Sequence, residues 1–372
     1  MTKPMMADIS RQPTCLRQLL DREGEISALA ADAFGADGDR QLTSISCGDG
    51  WFASRAVADA AVRGHSIRYR AATSLEYLTY HAGEANGRDR VIGISMSGNV
   101  DRTIEAVRAA QEAGAGALAL VNGEGGRLGQ LAAKKLSLDI PDIAPFLCGT
   151  SSYTATLLTL LLLLRGAGHN PAGDPRWAPD LVTLRDHCSY LPEVIGKADR
   201  FMREVVGDAA AKGISGVRFL SAGPNLATAD YGAAKLVELT RTASWSDDVE
   251  EFAHRQFWTM DQNNLVIYLS ANPTLAKYAS ESADSLSGMG VMTVSIEVKG
   301  SPVTAATHRL ILPEMPEWLS PIVMAIPLQL LGYHLAYAQG LDPNTRQHLK
   351  DDNTRFVVSR KLTRRSLIGK GL

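Results

Sequence analysis

Arg90-Val91-Ile92-Gly93-Ile94-Ser95-Met96-Ser97-Gly98-Asn99-Val100-Asp101-Arg102-Thr103-Ile104-Glu105-Ala106-Val107 reads as a strand, a polar turn and a helix in direct succession. Val91, Ile92 and Ile94 form the short apolar run that fills a buried parallel strand. Ser95 to Asp101 is small and polar: Gly98 is free to take a positive φ, and Asn99 or Asp101 is able to cap the next helix. Ile104, Val107 and the alanines after them recur at helical spacing. Two hydroxyls and a glycine ahead of a helix suit an anion, because unpaired backbone N–H groups and the helix dipole converge there. A capped loop that binds nothing fits the same residues, and this stretch alone leaves the two readings level.

Working outward, the same unit repeats. Thr14 to Phe34 carries Leu16, Leu19, Leu20, Ile26 and Leu29 at helical spacing, with Gly24 as the expected break. Leu42 to Cys47 reads as a strand that runs into Gly48-Asp49-Gly50 and then an alanine-rich helix to about Arg63. Ile67–Ala71, Ala117–Val121 and Leu136–Ile140 are further strand candidates, and Ser74–His81 a short helix. Gly149-Thr150-Ser151-Ser152 opens an apolar helix. Strands alternating with helices at this spacing mean an α/β fold with a doubly wound parallel sheet.

Gly166 to Asp180 is rich in Gly, Pro and Asn and lacks apolar periodicity, so it reads as a connection. A helix from Leu181 to Ala211 comes next, and the pattern then recurs with strands at Val217–Ser221, Asn264–Ser270, Val291–Glu297 and Leu310–Leu312. Ser320–Ala338 stands where Thr154–Leu164 stands in the first half. Order and spacing point to an internal duplication of ~150 residues, about one domain length. The expected organisation is an N-terminal helical segment (1–40), a first α/β domain (41–170), a connection (171–196), a second α/β domain (197–340) and a C-terminal loop and tail (341–372).

Composition narrows the class. A chain of 372 residues with 45% hydrophobic and 21% charged residues is ordinary for a globular protein. A net charge of −2 gives no reason to expect nucleic acid. The four cysteines lie far apart, with no CxxC pair, and fit neither a disulfide framework nor zinc. MTKPMMADIS has no apolar signal core, and Leu157–Leu164 is too short to span a bilayer. A cytoplasmic chain without a membrane partner is expected. The tail from Arg355 carries Arg360, Lys361, Arg364, Arg365 and Lys370, which suits a solvated or dimer-packed end better than an acidic partner.

Cys47-Gly48-Asp49-Gly50, Ser95-Met96-Ser97-Gly98, Gly149-Thr150-Ser151, the run Gly232–Leu239 and Glu250-Glu251-Phe252-Ala253-His254 stand in an order that resembles the sugar isomerase (SIS) family. Pro327–His334 fits the same layout. The match extends from about Leu42 to Lys350 and is nearest to the isomerase half of glucosamine-6-phosphate synthase. Related deaminases, ketose/aldose isomerases and deglycases share it. The resemblance implies two tandem SIS domains, a homodimer, a small-molecule sugar or sugar-phosphate substrate, no cofactor and no metal. Glutamine-dependent amide transfer is not expected, since the first SIS strand begins near Leu42.

Interconverting an aldose and a ketose needs a base that moves a proton between C1 and C2, a group that opens the ring, and a cradle for phosphate. By resemblance, Glu238 is the base, with Lys235 one turn earlier on the same helix beside it. His254 matches the ring-opening histidine, whose near-neutral pKa suits proton exchange. Lys350 matches a substrate-reaching loop lysine once a one-residue gap is allowed. Gly48, Asp49, Ser95, Ser97, Gly98, Asn99, Thr150, Ser151 and Lys235 are the expected substrate-binding residues. Taken without the family, Glu238 fits an exposed carboxylate paired with Lys235 or Arg241.

Two departures matter. Asp49 stands where the pattern carries a hydroxyl, and a carboxylate repels a phosphate at close range. Val100 replaces the terminal Thr or Ser of the phosphate loop, removing a charge-assisted bond worth about 1.5–3 kcal/mol. Arg102 or Arg255 is the expected compensating cation. Three readings remain open: a phosphosugar enzyme, an enzyme for an unphosphorylated sugar offering an amine or hydroxyl to Asp49, and a binding protein without turnover.

Overall fold

The computed structural model describes residues 3–35, 40–167 and 173–363. Helices α1 (Pro4–Ser10), α2 (Gln12–Asp21) and α3 (Glu23–Phe34) open the chain. Then come β1 (Gln41–Ser46), α4 (Asp49–Ala56), β2 (Arg68–Thr73), the single turn α5 (Ser74–Glu76), β3 (Arg90–Ile94), α6 (Asp101–Glu112), β4 (Gly116–Val121), α7 (Gly126–Leu131), β5 (Lys134–Ser137) and α8 (Ser151–Ala167). After α9 (Leu181–Lys212) the second series runs β6 (Gly216–Ser221), α10 (Pro224–Thr240), β7 (Ala243–Asp248), α11 (Val249–Arg255), β8 (Asn264–Ser270), α12 (Pro273–Gly288), β9 (Met292–Val298), β10 (His308–Leu312) and α13 (Ser320–Ala338). Helices α14 (Gln347–Asp351) and α15 (Asn353–Thr363) come last.

Each series builds a five-stranded parallel sheet. The orders are β2-β1-β3-β4-β5 and β7-β6-β8-β9-β10, the same topology twice. The duplication expected from spacing is therefore a duplication of strand order. Edge strands β2 and β7 share one alternating burial pattern, half-exposed at every second residue. That pattern explains why β7 is absent from the sequence reading: Ala243-Ser244-Trp245-Ser246-Asp247-Asp248 has no apolar run, and pairing with β6 alone makes it a strand.

Among the described residues, those within 3–13, 143–150 and 182–348 form one compact unit around the second sheet. Those within 14–142, 151–181 and 349–363 form the other, around the first. The units are not consecutive in sequence, because α1 packs on α13 and the Met5 amide donates to Asn344 Oδ1 at 3.0 Å. The break in the opening helices falls at Arg22 rather than Gly24. Glu23 and Glu25 in the first turn of α3 complement its positive end, which keeps Gly24 helical. Arg364, Arg365 and Lys370 of the basic tail lie outside the described residues.

In the first unit of sheet and helices, Ile45, Val91, Ile104, Val107 and Leu128 form the core, and α8 is buried from Tyr153 to Leu164 against α3 and α4. Each fully buried leucine there contributes roughly 1.5–3 kcal/mol. In the second unit, Leu220, Val266, Tyr268, Phe252 and Ala283 pack together, and α13 lies along α10. The two helices approach closely at glycines. A Cβ on Gly232 would stand 2.7 Å from Leu328 Cδ1, and one on Gly332 2.7 Å from Leu239 Cδ1. The segment Glu317–Ala338 is long and apolar enough to cross a membrane, its most apolar 18-residue stretch having mean hydropathy 1.4, yet 94% of that stretch is buried inside the fold. It is a core helix.

His334 near the end of α13 is held in the second unit against Asp199 of α9, its Nε2 2.7 Å from Oδ1. An ionised carboxylate only accepts, so Nε2 donates. Burial pushes the His334 pKa below its usual value, and the Asp199 hydrogen bond only partly opposes this. The folded chain therefore binds fewer protons than the unfolded chain in the window below about pH 6.5. Stability from this group is fully present above that pH and is lost as pH falls through the depressed value. The melting temperature is expected to drop between pH 7 and pH 5, and His334→Gln to flatten that drop. An unchanged slope in the variant, monitored by thermal denaturation, would refute the assignment.

Candidate functional site

In the first sheet the chain passes from β2 back across β1 to form β3, so β1 and β3 are neighbours whose connections leave in opposite directions. Ligands of open α/β sheets bind at such a switch point, beyond the carboxyl ends of the strands. The register pairs Ser46 with Ile94, which sets the Cys47-Gly48 turn beside the Ser95–Val100 loop. The loop is tightly wound: the Gly98 amide donates to Ser95 O at 2.9 Å, and Asn99 Nδ2 donates to Ser97 O at 2.7 Å. Gly98 takes φ +63°, and a Cβ on it would collide with the Gly125 carbonyl. The Leu128 amide donates to Gly98 O at 2.9 Å, fastening the β4–α7 turn to this loop.

Helix α6 begins with Val100 as its N-cap and has no side-chain cap among the described residues. The hydroxyls of Ser46 (0% exposed) and Ser95 (6% exposed) are buried and have no hydrogen-bond partner among the described residues. An unpaired buried hydroxyl costs about 1–3 kcal/mol, a cost that a ligand oxygen removes. An uncapped helix start beside two such hydroxyls can hold an anion or a polyol. Asp49, half-buried in the first turn of α4, complements that helix's own positive end, leaving the start of α6 as the end open to an anion.

The corresponding switch point of the second sheet is built differently. Gly223 before α10 has φ 58° and ψ −140°, close to the 57° and −128° of Gly48 before α4. Asn272, however, caps α12 by accepting from the amides of Thr274 (2.9 Å) and Leu275 (3.3 Å). Its Nδ2 donates to Glu317 Oε2 at 3.1 Å, and Glu317 Oε1 would lie 3.6 Å from a Cβ on Gly223. The cap is filled and a carboxylate faces the turn, an arrangement unfavourable to an anion.

The second unit instead carries a charged cluster around Glu238 on α10. Lys235 Nζ donates to Glu238 Oε2 at 2.7 Å, Arg346 Nη1 donates to Oε1, and the Cys148 thiol lies 3.5 Å from Oε2. Lys235 and Arg346 are buried while Glu238 is half-buried. Arg346 sits at φ +48°, donates through Nε to Phe146 O at 2.8 Å and stacks 4.1 Å from the Phe146 ring centre. Two cations thus lie at hydrogen-bond range of the two carboxylate oxygens. His348 Nε2 donates to Glu238 O at 3.3 Å.

The remaining expected residues are dispersed. His254 is exposed on α11, 3.5 Å from Glu250. Lys350 is exposed on α14. Thr150 is fully buried and its hydroxyl donates to Asp8, so it is committed to the core rather than open to a ligand. Ser151 is the buried first residue of α8. Arg102 does not compensate for Val100: its guanidinium pairs with buried Glu105 at 2.5 Å. Arg255 likewise pairs with buried Asp247. Ser46, Arg127, Cys148 and Arg346 were passed over in the sequence. Ser46 had a legible signal, a polar residue closing a buried strand beside a glycine turn, whereas Arg346 reaches Glu238 only through the fold. Among the described residues no group of three His, Cys, Asp or Glu side chains is placed to hold a metal ion.

This geometry sets two expectations. Gly98→Ala is strained at positive φ by about 1–3 kcal/mol and displaces the β4–α7 turn, so it is expected to lower the melting temperature and abolish stabilisation by ligand. Arg346→Met removes bonds to Glu238 and Phe146 and is expected to cost about 1–3 kcal/mol in urea unfolding. Exposed Val237→Thr on α10, beside Glu238, should cost under about 0.5 kcal/mol. Equal losses at Arg346 and Val237 would dismiss the cluster as a stabilising one.

Comparison with known proteins agrees with this architecture. Residues 217–339 match the SIS domain family. Glutamine–fructose-6-phosphate aminotransferase of Gloeobacter violaceus is 27% identical over 364 residues, covering 93% of this chain and 57% of that protein. The chain thus spans little more than half the length of that relative. The C-terminal domain of glucosamine–fructose-6-phosphate aminotransferase from Francisella tularensis shares the fold with TM-score 0.76 at 16% identity, over 92% of this chain and 98% of that one. Tagatose-6-phosphate ketose/aldose isomerase from Escherichia coli gives TM-score 0.77 at 20% identity, over 91% and 94%. A SIS domain is thus matched in the second half of the chain, and the first half repeats its strand order.

Proposed function

We propose that the protein is a sugar-isomerase-type enzyme for a phosphosugar or aminosugar. It opens the ring and moves a proton between C1 and C2, the step shared by aldose–ketose isomerisation, deamination and deglycation. The observation that carries this reading is the first switch point, where uncapped α6 meets the unpartnered hydroxyls of Ser46 and Ser95. Relatives named for fructose 6-phosphate and tagatose 6-phosphate support the substrate class. In this reading Ser95, Ser97, Gly98 and Asn99 hold the anionic group, and Gly48 and Asp49 face the sugar hydroxyls or an amine. Glu238 is the base, His254 the ring-opening group and Lys350 a substrate contact. The protein works as a cytoplasmic homodimer on small molecules, with neither nucleic acid nor membrane as partner.

The base takes a proton from the carbon beside the carbonyl, leaving an enediolate, and returns it to the former carbonyl carbon as the hydroxyl proton passes from one oxygen to the other. Glu238 is held charged for this by Lys235 and must exchange its Arg346 contact to act. That contact favours a second reading, a sugar-phosphate-binding protein without turnover. One experiment separates the readings: thermal shift with fructose 6-phosphate, a fructosamine 6-phosphate and unphosphorylated glucosamine, and then product analysis. The enzyme reading expects stabilisation by a phosphorylated sugar, about 2.7 kcal/mol at a hundredfold excess over Kd. It also expects turnover that falls about 10²–10⁴-fold in Glu238→Gln. Stabilisation without product supports the binding protein, and stabilisation by glucosamine alone supports a substrate directed by Asp49.

A further inference from the structure

A valine at position 100 and the engagement of Arg102 with Glu105 leave the α6 loop short of donors for an anion. One cation nevertheless lies on that loop. Arg127, the second residue of α7, spreads its guanidinium along Asn99 and Asp101: Nε donates to Asn99 Oδ1 at 3.4 Å, and Nη2 donates to Asn99 O at 3.2 Å and to Asp101 Oδ1. Its backbone amide also donates to Asn99 Oδ1 at 3.4 Å. Nη1 makes no hydrogen bond among the described residues, and the side chain is 55% exposed.

We infer that Arg127 gives this switch point its selectivity for a phosphoryl group, donating from Nη1 where the pattern would place a hydroxyl at position 100. The inference rests on the reading of the β1–β3 switch point as the ligand site. Surface ion pairs contribute little to stability, so a bond to Asp101 is a weak reason for so many constraints on one side chain. The backbone beneath it is fixed by contact: Gly98 lies against Gly125, and a Cβ on Gly126 would stand 2.6 Å from Ser97 O. A planar fork fixed on one edge and free on the other suits a tetrahedral phosphate better than a flexible ammonium does. The second observation is independent of Arg127. Ser95 at the start of the same loop is buried with its hydroxyl unpartnered, and a phosphate oxygen would satisfy it. Arg127 also neutralises Asp101, whose carboxylate would otherwise repel the incoming anion.

The test uses the full chain with inorganic phosphate as probe, titrated at constant ionic strength against chloride, and fructose 6-phosphate in parallel. The wild type is expected to be stabilised by phosphate. Arg127→Gln should weaken that effect at least tenfold, and Arg127→Lys should recover only part of it. The double variant Asp101→Asn/Arg127→Gln carries no unpaired carboxylate, so it controls for folding, and it is expected to stay as weak as Arg127→Gln. No response of the wild type to phosphate, an unchanged response in Arg127→Gln, or full recovery in the double variant would each overturn the inference. Sugar phosphate bound equally by wild type and Arg127→Gln would overturn it while leaving the proposed function standing. Arg127-dependent phosphate binding with no preference for the sugar phosphate would uphold it against that function.

Discussion

Parallel strands cannot be joined by a hairpin, so each connection in these sheets must cross over, mostly through a helix. Every strand therefore ends at the same edge, and helix N-termini gather there with their unpaired amides. Where strand order reverses, between β1 and β3 or between β6 and β8, two such ends diverge and open a crevice. The location of the candidate ligand site is a consequence of that constraint, before any residue in it is considered.

The two halves show how one backbone solution is turned to different ends. Gly48 and Gly223 share nearly the same dihedral angles ahead of α4 and α10. The second crevice then closes itself: Asn272 caps α12 and Glu317 accepts from Asn272. In the first, Val100 cannot cap α6 and, among the described residues, two serine hydroxyls have no hydrogen-bond partner. A duplicated fold doubles the number of crevices, and side chains decide which of them leaves donors without partners.

Around Glu238 the competition is between solvation and pairing. Lys235 and Arg346 are buried, and a buried charge is tolerated only when it is paired and hydrogen-bonded. Both oxygens of Glu238 are taken up, which fixes α10 to the loop that carries Arg346. In the proposed function the same pairing would have to loosen before the carboxylate could accept a proton. The tension between holding a loop and accepting a proton is the chemical question posed by this cluster.

Much of this was legible in the sequence. Apolar runs such as Val91–Ile94 and Asn264–Ser270 marked the central strands because both faces of a parallel sheet are buried. The glycine turn at Gly48 and the polar loop from Ser95 marked the switch point, since short-range backbone needs dictate those residues. Edge strand β7 was not legible, because half its surface faces outward and its pairing with β6 comes from elsewhere in the chain. Lys235 beside Glu238 was readable from helical spacing, but Arg346, more than a hundred residues away and at φ +48°, is joined to Glu238 only by folding. Likewise Arg127 rather than Arg102 lies along the Ser95 loop, since glycines bring the β4–α7 turn against it while Glu105 turns Arg102 aside. Local periodicity and turn chemistry determined the architecture and the place of the site. Which charges meet there depended on long-range packing, which no local pattern encodes.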